Sequence, residues 1–463
     1  MGGGDHHEGL DGLRGVAILL VLGQHAPTRP LIDGFVGVTV FFCLSGFLIT
    51  SLLIGELGSG SIDVRAFYRR RVARLAPGLV TVTATTTAVL LVDRRDLGVE
   101  QVLAPAGAAA AYTTNLFDWS NHVFATKDYF NYTWSLSVEE QFYLVWPFAL
   151  LWGYRRSPRM FGASILGLIT ATLALDLYLG LSRAVKYDQH EYFGTDTNAL
   201  PILTGALLAT TLARGWTPMT LRRLAPAALT ALALLPALAY RNDTYRPALV
   251  TIAGTALTVV ALIGVVTRPR SAAGSLLATR PMRWLGERSY SIYLWNVLAR
   301  IAVLAWLGHT VLGDFAWVAM FLVLAETSFR YVERPLRSRL TAPGRPCRAL
   351  TRVGHRPAGD DSGAGAVVRA GKAERARNAR TAEQPTIAAD VHATEPRGPC
   401  ASRIAPSAAP PAMPALLLAL IHAPAVSGEL AEVRTEADWY SEAAGPKDAS
   451  HSMALARTNP RRG

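Results

Sequence analysis

Apolar residues along this chain gather into long runs separated by short polar stretches rich in arginine. A helix rising 1.5 Å per residue needs about 20 mostly apolar residues to cross a bilayer. Such runs lie near 11–27, 34–55, 75–92, 133–153, 160–181, 196–213, 224–240, 247–267, 284–307 and 312–332. The pattern predicts an all-α fold, a polytopic membrane helix bundle of about ten transmembrane helices. One further stretch, near 101–117, is short, rich in Ala and interrupted by Pro105 and Gly107, and the charges around it decide its status. If it does not span, Arg65, Arg69, Arg70, Arg71 and Arg74 share the cytoplasmic side with the later clusters at Arg155, Arg156 and Arg159, at Arg214, Arg222 and Arg223, and at Arg268, Arg270, Arg280 and Arg283. If it does span, every cluster from Arg155 onward lands outside, against the bias that orients membrane proteins. The stretch is therefore predicted to be a re-entrant or interfacial helix, which with the polar loop 118–132 roofs a cavity on the outer side. Both termini are then cytoplasmic. The first segment, MGGGDHHEGLDGLRG, lacks the basic region of a secretory signal, and no cleaved signal peptide is expected.

Composition agrees with lipid as the solvent. Hydrophobic residues make up 51% of the chain and charged residues only 17%, against roughly 25% charged in soluble domains, which excludes a wholly soluble protein. The net charge of +12 reads first as cytoplasmic loops, so no nucleic-acid partner is expected. Cys43, Cys347 and Cys400 have no metal-ligand spacing, which argues against a disulfide scaffold and a zinc ribbon, and no metal site is expected. Two regions follow: a transmembrane part over 1–340 and a basic tail over 341–463, rich in Ala, Arg, Pro and Gly, with Trp439 and Tyr440 its only aromatics. A segment of that composition buries too little apolar surface to offset its ordering entropy, so the tail is expected to be disordered and cytoplasmic.

Ionisable residues inside spanning runs are expensive and mark functional pathways by default. In the first run Arg14 and His25 are eleven residues apart, three helical turns and about 16 Å on one face. Arg14 fits both a buried role and snorkelling to the interface. His25 fits both a proton acceptor near neutral pH and a histidine held in packing. The run 34–55 pairs small Gly34, Gly37, Ser45 and Gly46 with bulky Phe41, Phe42 and Phe47, mainly a signal of close helix packing. Arg70, Arg71 and Arg74 fall on adjacent turns in FYRRRVARLAP and suit either phosphate groups or plain topology determination. Glu139 and Glu140, in YTWSLSVEEQFYLVWP with Trp134, Ser135 and Tyr143, sit inside an apolar run. At least one of these carboxylates is expected to face inward against a cation such as Arg14 or His25, or to be protonated. Asp196 and Asn198, Glu287, Arg288 and Asn296, and Glu326, Arg330 and Glu333 are further polar intrusions. Glu326 and Arg330, four apart, can simply pair on one face.

Taken in order, these segments resemble the membrane acyltransferase-3 family: the pair Arg14 and His25, FFCLSGFLIT, RVARLAP, WSLSVEEQFY, ERSYSIYLW and YVERPLR. The resemblance covers roughly residues 8–340. It implies a ten-helix core and transfer of an acyl group, commonly acetyl from acetyl-CoA, to a hydroxyl of a sugar, polysaccharide or macrolide acceptor, with acyl-CoA as co-substrate and no tightly bound cofactor. It also implies that His25 is the catalytic base, that Arg14 and Glu139 are its essential partners, and that Arg71 and Arg74 face the donor. Trp134, Ser135, Tyr143, Asp196 and Asn296 are assigned to substrate binding. Two positions depart from many relatives, Asn198 where they carry Arg and Asn296 where they carry His, and Asn296 cannot act as a base. Readings of other classes fit the same charges: a proton-coupled membrane transporter, or an inactive relative acting as a binding protein.

Overall fold

Each of the ten apolar runs folds as helix, because a backbone in hydrocarbon must satisfy its own hydrogen bonds. The computed structural model describes residues 3–27, 34–94, 97–119, 126, 129–182, 189–216, 218–240 and 247–341, and among them there is no strand. The helices are α1 (Gly3–Gln24), α2 (Phe35–Gly58), α3 (Val64–Asp93), α4 (Val99–Ala110), α5 (Thr114–Trp119), α6 (Trp134–Ala149), α7 (Pro158–Ser182), α8 (Gln189–Phe193), α9 (Ala199–Ala213), α10 (Ala225–Tyr240), α11 (Pro247–Thr267), α12 (Ala272–Leu277), α13 (Arg280–Leu307), α14 (Val311–Ser328) and α15 (Arg334–Thr341). Single wide turns, Leu150–Tyr154 and Phe329–Glu333, follow α6 and α14. By length and composition six segments can cross a membrane: α2, α3, α7, α11, α13, and α14 continued through α15. The apolar helices α9 and α10 are shorter, and α1 and α6 carry ionisable residues in their interiors. The chain is a multi-pass membrane protein. The expectation of a disordered tail falls on residues outside those described.

Local signals fix several helix starts. Asp63 accepts from the Ala66 amide at 2.8 Å to cap α3, and Thr310 accepts from the Gly313 amide at 3.0 Å to cap α14, each satisfying one of the amides that a helix start leaves without a partner. Helix α2 is the centre of the bundle. Its most apolar window is 67% buried, against 22% for α7, and its residues belong to three packed clusters shared with α1, α3, α6, α9, α11 and α13. Small residues permit this. A Cβ on Gly46 would meet the Ile202 carbonyl of α9, and a Cβ on Gly205 would meet the Cys43 carbonyl of α2, so the two helices touch backbone to backbone through a reciprocal glycine pair. Helix α1 lies against α13 in the same manner, with Gly286 on the Asp11 carbonyl and Arg283 Nη1 2.6 Å from Glu8 Oε1. Large apolar residues on the outer helices, among them Phe148, Trp152, Leu166, Leu234 and Phe315, are exposed. In lipid that is their low-energy environment.

Candidate active site

Helix α6 arranges its polar residues by period. Ser135, Glu139 and Tyr143 stand four apart and stack on one face. Arg71 and Arg74, three apart on α3, share a face in the same way. The two faces meet. Arg71 Nε donates to Glu140 Oε1 at 3.1 Å, and its Nη2 lies 3.6 Å from Glu139 Oε1. Its guanidinium carbon sits 3.3 Å from the centre of the Tyr143 ring, a cation–π contact. The Tyr143 hydroxyl and the Ser45 hydroxyl of α2 both donate to Glu139. Glu139 is therefore gripped from α2, α3 and α6 together, which satisfies a charge that would otherwise be very costly at this depth.

A cavity of about 110 Å³ opens beside this cluster, lined by Arg14, Ser45, Arg71, Arg74, Ser135, Glu139 and Tyr143, with Phe41 and Phe42 from α2 and Ser289, Tyr290 and Tyr293 from α13. Tyr293 donates to the Tyr132 carbonyl at 2.5 Å, so Ser135, 2.7 Å from the same phenol oxygen, is the donor in their bond. Tyr290 donates to the Leu75 carbonyl at 2.7 Å. Arg14 pairs with Asp11 one turn earlier at 3.2 Å. Arg74 makes no hydrogen bond or ion pair among the described residues, and the like charges of Arg14, Arg71 and Arg337 act on it. Three arginines around a small cavity, one without a hydrogen bond or ion pair among the described residues, have the donors and charge to take an anion.

Six of the ten sequence-predicted site residues thus share one cavity: Arg14, Arg71, Arg74, Ser135, Glu139 and Tyr143. The other four are elsewhere. His25 is one residue past the end of α1, about 16 Å along the helix axis from Arg14. Its Nδ1 lies 2.9 Å from the Val21 carbonyl. A carbonyl can only accept, so Nδ1 carries the proton and a neutral ring keeps its lone pair on Nε2. Arg300 of α13 acts on the ring electrostatically. Trp134 is buried in an aromatic group, 5.1 Å from Tyr192, 5.6 Å from Phe193 and 6.1 Å from Phe35 between ring centres. Asp196 lies before α9, with His190 Nε2 3.0 Å from its carboxylate. Asn296 is fully buried, and its amide donates to the Ile292 and Tyr293 carbonyls of its own helix while its Oδ1 has no hydrogen-bond partner among the described residues.

The carboxylates do face a cation, and it is Arg71 where Arg14 and His25 were the examples named. Both carboxylates stand next to α3, and a single guanidinium fork there reaches the two of them. Sequence reasoning assigned Ser45 to packing and missed its bond to Glu139; the residue's polar side chain in an otherwise apolar run was the available signal. It also missed Gln141, which ties three segments together. Gln141 Nε2 donates to Asn115 Oδ1 at 3.0 Å and to the Tyr112 carbonyl at 3.3 Å, while its Oε1 accepts from Thr195 at 2.6 Å. Tyr112, between α4 and α5, has φ +55°, a strained backbone for a non-glycine residue. Glu333, delivered by the second wide turn, is buried and accepts from Ser291 at 2.7 Å and Ser328 at 2.9 Å.

YrhL of Bacillus subtilis (strain 168), provisionally named a peptidoglycan O-acetyltransferase, is 33% identical over 72% of this chain and 56% of its own length. The O-acetyltransferase OatA of Staphylococcus aureus (strain NCTC 8325 / PS 47) is 29% identical over 72% of this chain and 57% of its own. The peptidoglycan O-acetyltransferase OatA of Listeria monocytogenes serovar 1/2a (strain ATCC BAA-679 / EGD-e) is 28% identical over 71% and 55%. The chain spans about half the length of these curated relatives. No solved structure matches it. The acyltransferase-3 family, described as an acyltransferase domain, matches residues 7–326, which takes in every helix that lines the cavity, and the chain belongs to that family.

Proposed function

We propose that this protein is an integral-membrane O-acyltransferase that moves an acyl group, acetyl in the first instance, from acyl-CoA to a hydroxyl of a carbohydrate acceptor of the peptidoglycan kind. The observation that carries the reading is the arginine cavity, with Arg74 making no hydrogen bond or ion pair among the described residues, set along α1 from a histidine whose Nε2 holds the lone pair. Acyl-CoA has its phosphates at one end and its thioester at the other. Arg14 and Arg74 hold the anionic end, and the thioester extends along α1 toward His25, a path of about 16 Å. There His25 Nε2 takes the proton of the acceptor hydroxyl as its oxygen attacks the thioester carbonyl, and returns it to the departing sulfur as the C–S bond breaks. Help of this kind is worth typically 10²- to 10⁴-fold; the rest comes from holding donor and acceptor in register. Glu139 serves by fixing Arg71 and offsetting charge in the cavity, and the names of the relatives support a carbohydrate acceptor over a macrolide.

In this reading ten helices span, namely α1, α2, α3, α6, α7, α9, α10, α11, α13 and α14, with both termini in the cytoplasm so that the arginine clusters lie inside. Helices α4 and α5 form the re-entrant element. The bonds of Gln141 to Tyr112 and Asn115, and the full burial of Asn115, support their insertion against protein, where non-helical backbone is tolerated at membrane depth. The test is thiol release from acetyl-CoA by the purified full chain in nanodiscs, with and without soluble peptidoglycan fragments. Release stimulated by the fragments and lost in His25→Ala is expected. A folded wild-type protein that neither binds acetyl-CoA nor releases thiol with any carbohydrate acceptor overturns the reading.

A further inference from the structure

Ser45 does not make the bond usual for a hydroxyl inside a helix, a departure it shares with Ser291 and Ser328 at Glu333. A serine or threonine inside a helix usually donates to the carbonyl four residues back, as Thr39 does to Phe35 at 3.1 Å, Thr81 to Pro77 at 2.7 Å and Thr204 to Leu200 at 2.7 Å. Ser45 instead donates across to Glu139, 94 positions away on α6. The Tyr143 hydroxyl donates to the same carboxylate oxygen. The contacts of Cys43 and Gly46 with α9 are backbone to backbone, which sets the seat of α2 and with it the place of Ser45.

The charge arrangement around the cavity gives this a purpose. Glu139 shares the lining with Arg14 and Arg74. A carboxylate turned toward Arg74 would pair with it and occupy the donors that an incoming anion needs. Two hydroxyls and Arg71 hold one oxygen of Glu139 instead. We propose that Ser45 and Tyr143 are positioning residues that tie the Glu139 carboxylate back against Arg71 and so reserve Arg74 for the anionic end of the acyl donor. This rests on the donor assignment made above. Neither hydroxyl touches the reacting atoms.

The test is a double-mutant cycle on the full chain in nanodiscs, reading acetyl-CoA KM and kcat together with CoA affinity by calorimetry. In Ser45→Ala the freed carboxylate competes for Arg74, and an internal competitor of one to two kcal/mol corresponds to a rise of about 5- to 30-fold in KM and in the CoA Kd, with kcat at saturation within about twofold. Tyr143→Phe keeps the ring under Arg71 and is expected to act in the same direction, and it carries the comparison should Ser45→Ala not fold. In a Glu139→Gln background there is no charged competitor, so adding Ser45→Ala is expected to change KM by less than about twofold, the non-additivity of residues in one network. An unchanged KM in both single variants, a fall in kcat with KM unaltered, or the same KM rise in the Glu139→Gln background overturns the proposal. Absence of acetyl-CoA binding by the wild type is a separate result, which removes the donor assignment itself.

Discussion

Replacing Arg74 by Met separates function from stability in a way the structure makes quantitative. Methionine retains most of the apolar stem and removes only the charged head. Inside the protein that head has no hydrogen bond or ion pair among the described residues to lose. Arg14, Arg71 and Arg337 repel it, while Glu140 and Glu333 attract it only at a distance. The fold therefore has little to lose, and relief of a functional strain of this type commonly adds about 0.5–2 kcal/mol. Donor binding has much to lose, since a charge-assisted hydrogen bond contributes about 1.5–3 kcal/mol. At about 1.4 kcal/mol per tenfold this corresponds to a rise of about 10- to 140-fold in the acetyl-CoA Kd. The assay is paired: CoA titration calorimetry and a thermal melt, both on the full chain in nanodiscs. Arg74→Met is expected to melt no lower than the wild type while binding CoA far more weakly. A variant that melts lower with donor affinity intact would show Arg74 to be a structural cation, and the assignment of the cavity would fall with it.

His25→Ala is expected to lower kcat by roughly 10²- to 10⁴-fold with acetyl-CoA KM nearly unchanged, because His25 is not among the residues lining the arginine cavity; a large KM change with kcat intact would contradict its role as base. Gly46→Leu drives a side chain into the Ile202 carbonyl and the Ala206 amide, backbone that cannot rotate away, and overpacking of this kind costs about 1–3 kcal/mol or more. A lower melting temperature and lower yield in membranes are expected, and a melt equal to the wild type's would count against the α2–α9 seam. Asn198→Ala removes two buried bonds, from its Nδ2 to the Tyr192 carbonyl at 2.8 Å and to the Gly194 carbonyl at 2.9 Å. Side-chain hydrogen bonds between membrane helices average about 0.6 kcal/mol each, and on that scale a loss of about 1 kcal/mol in denaturant unfolding is expected, while the absence of any loss would show that water replaces the amide.

The class of fold and the polar intrusions into it are legible in the residues alone. Length and apolarity of a run are properties of the chain, and in lipid they leave helix as the only way to satisfy the backbone, so all ten runs were legible as helices. The polar intrusions were legible for the same reason: a charge in an apolar run is costly, and Arg14, Arg71, Arg74 and Glu139 do converge on one cavity. Which charge answers which was not legible. A carboxylate on α6 has several cations within the same bundle, and the choice of Arg71 follows from where the tertiary packing sets α3 against that carboxylate, which no residue spacing encodes. The bond from Ser45 to Glu139 joins positions 94 apart, and the ties of Gln141 to Asn115 and Thr195 join three segments. Such contacts are set by helix packing, here by glycine pairs that fix how closely α2 meets α9 and α1 meets α13. The separation of Arg14 from His25 lies between the two cases. The sequence fixes the distance along one helix, and the tertiary structure decides that only Arg14 lines the cavity, because α3, α6 and α13 close around that end.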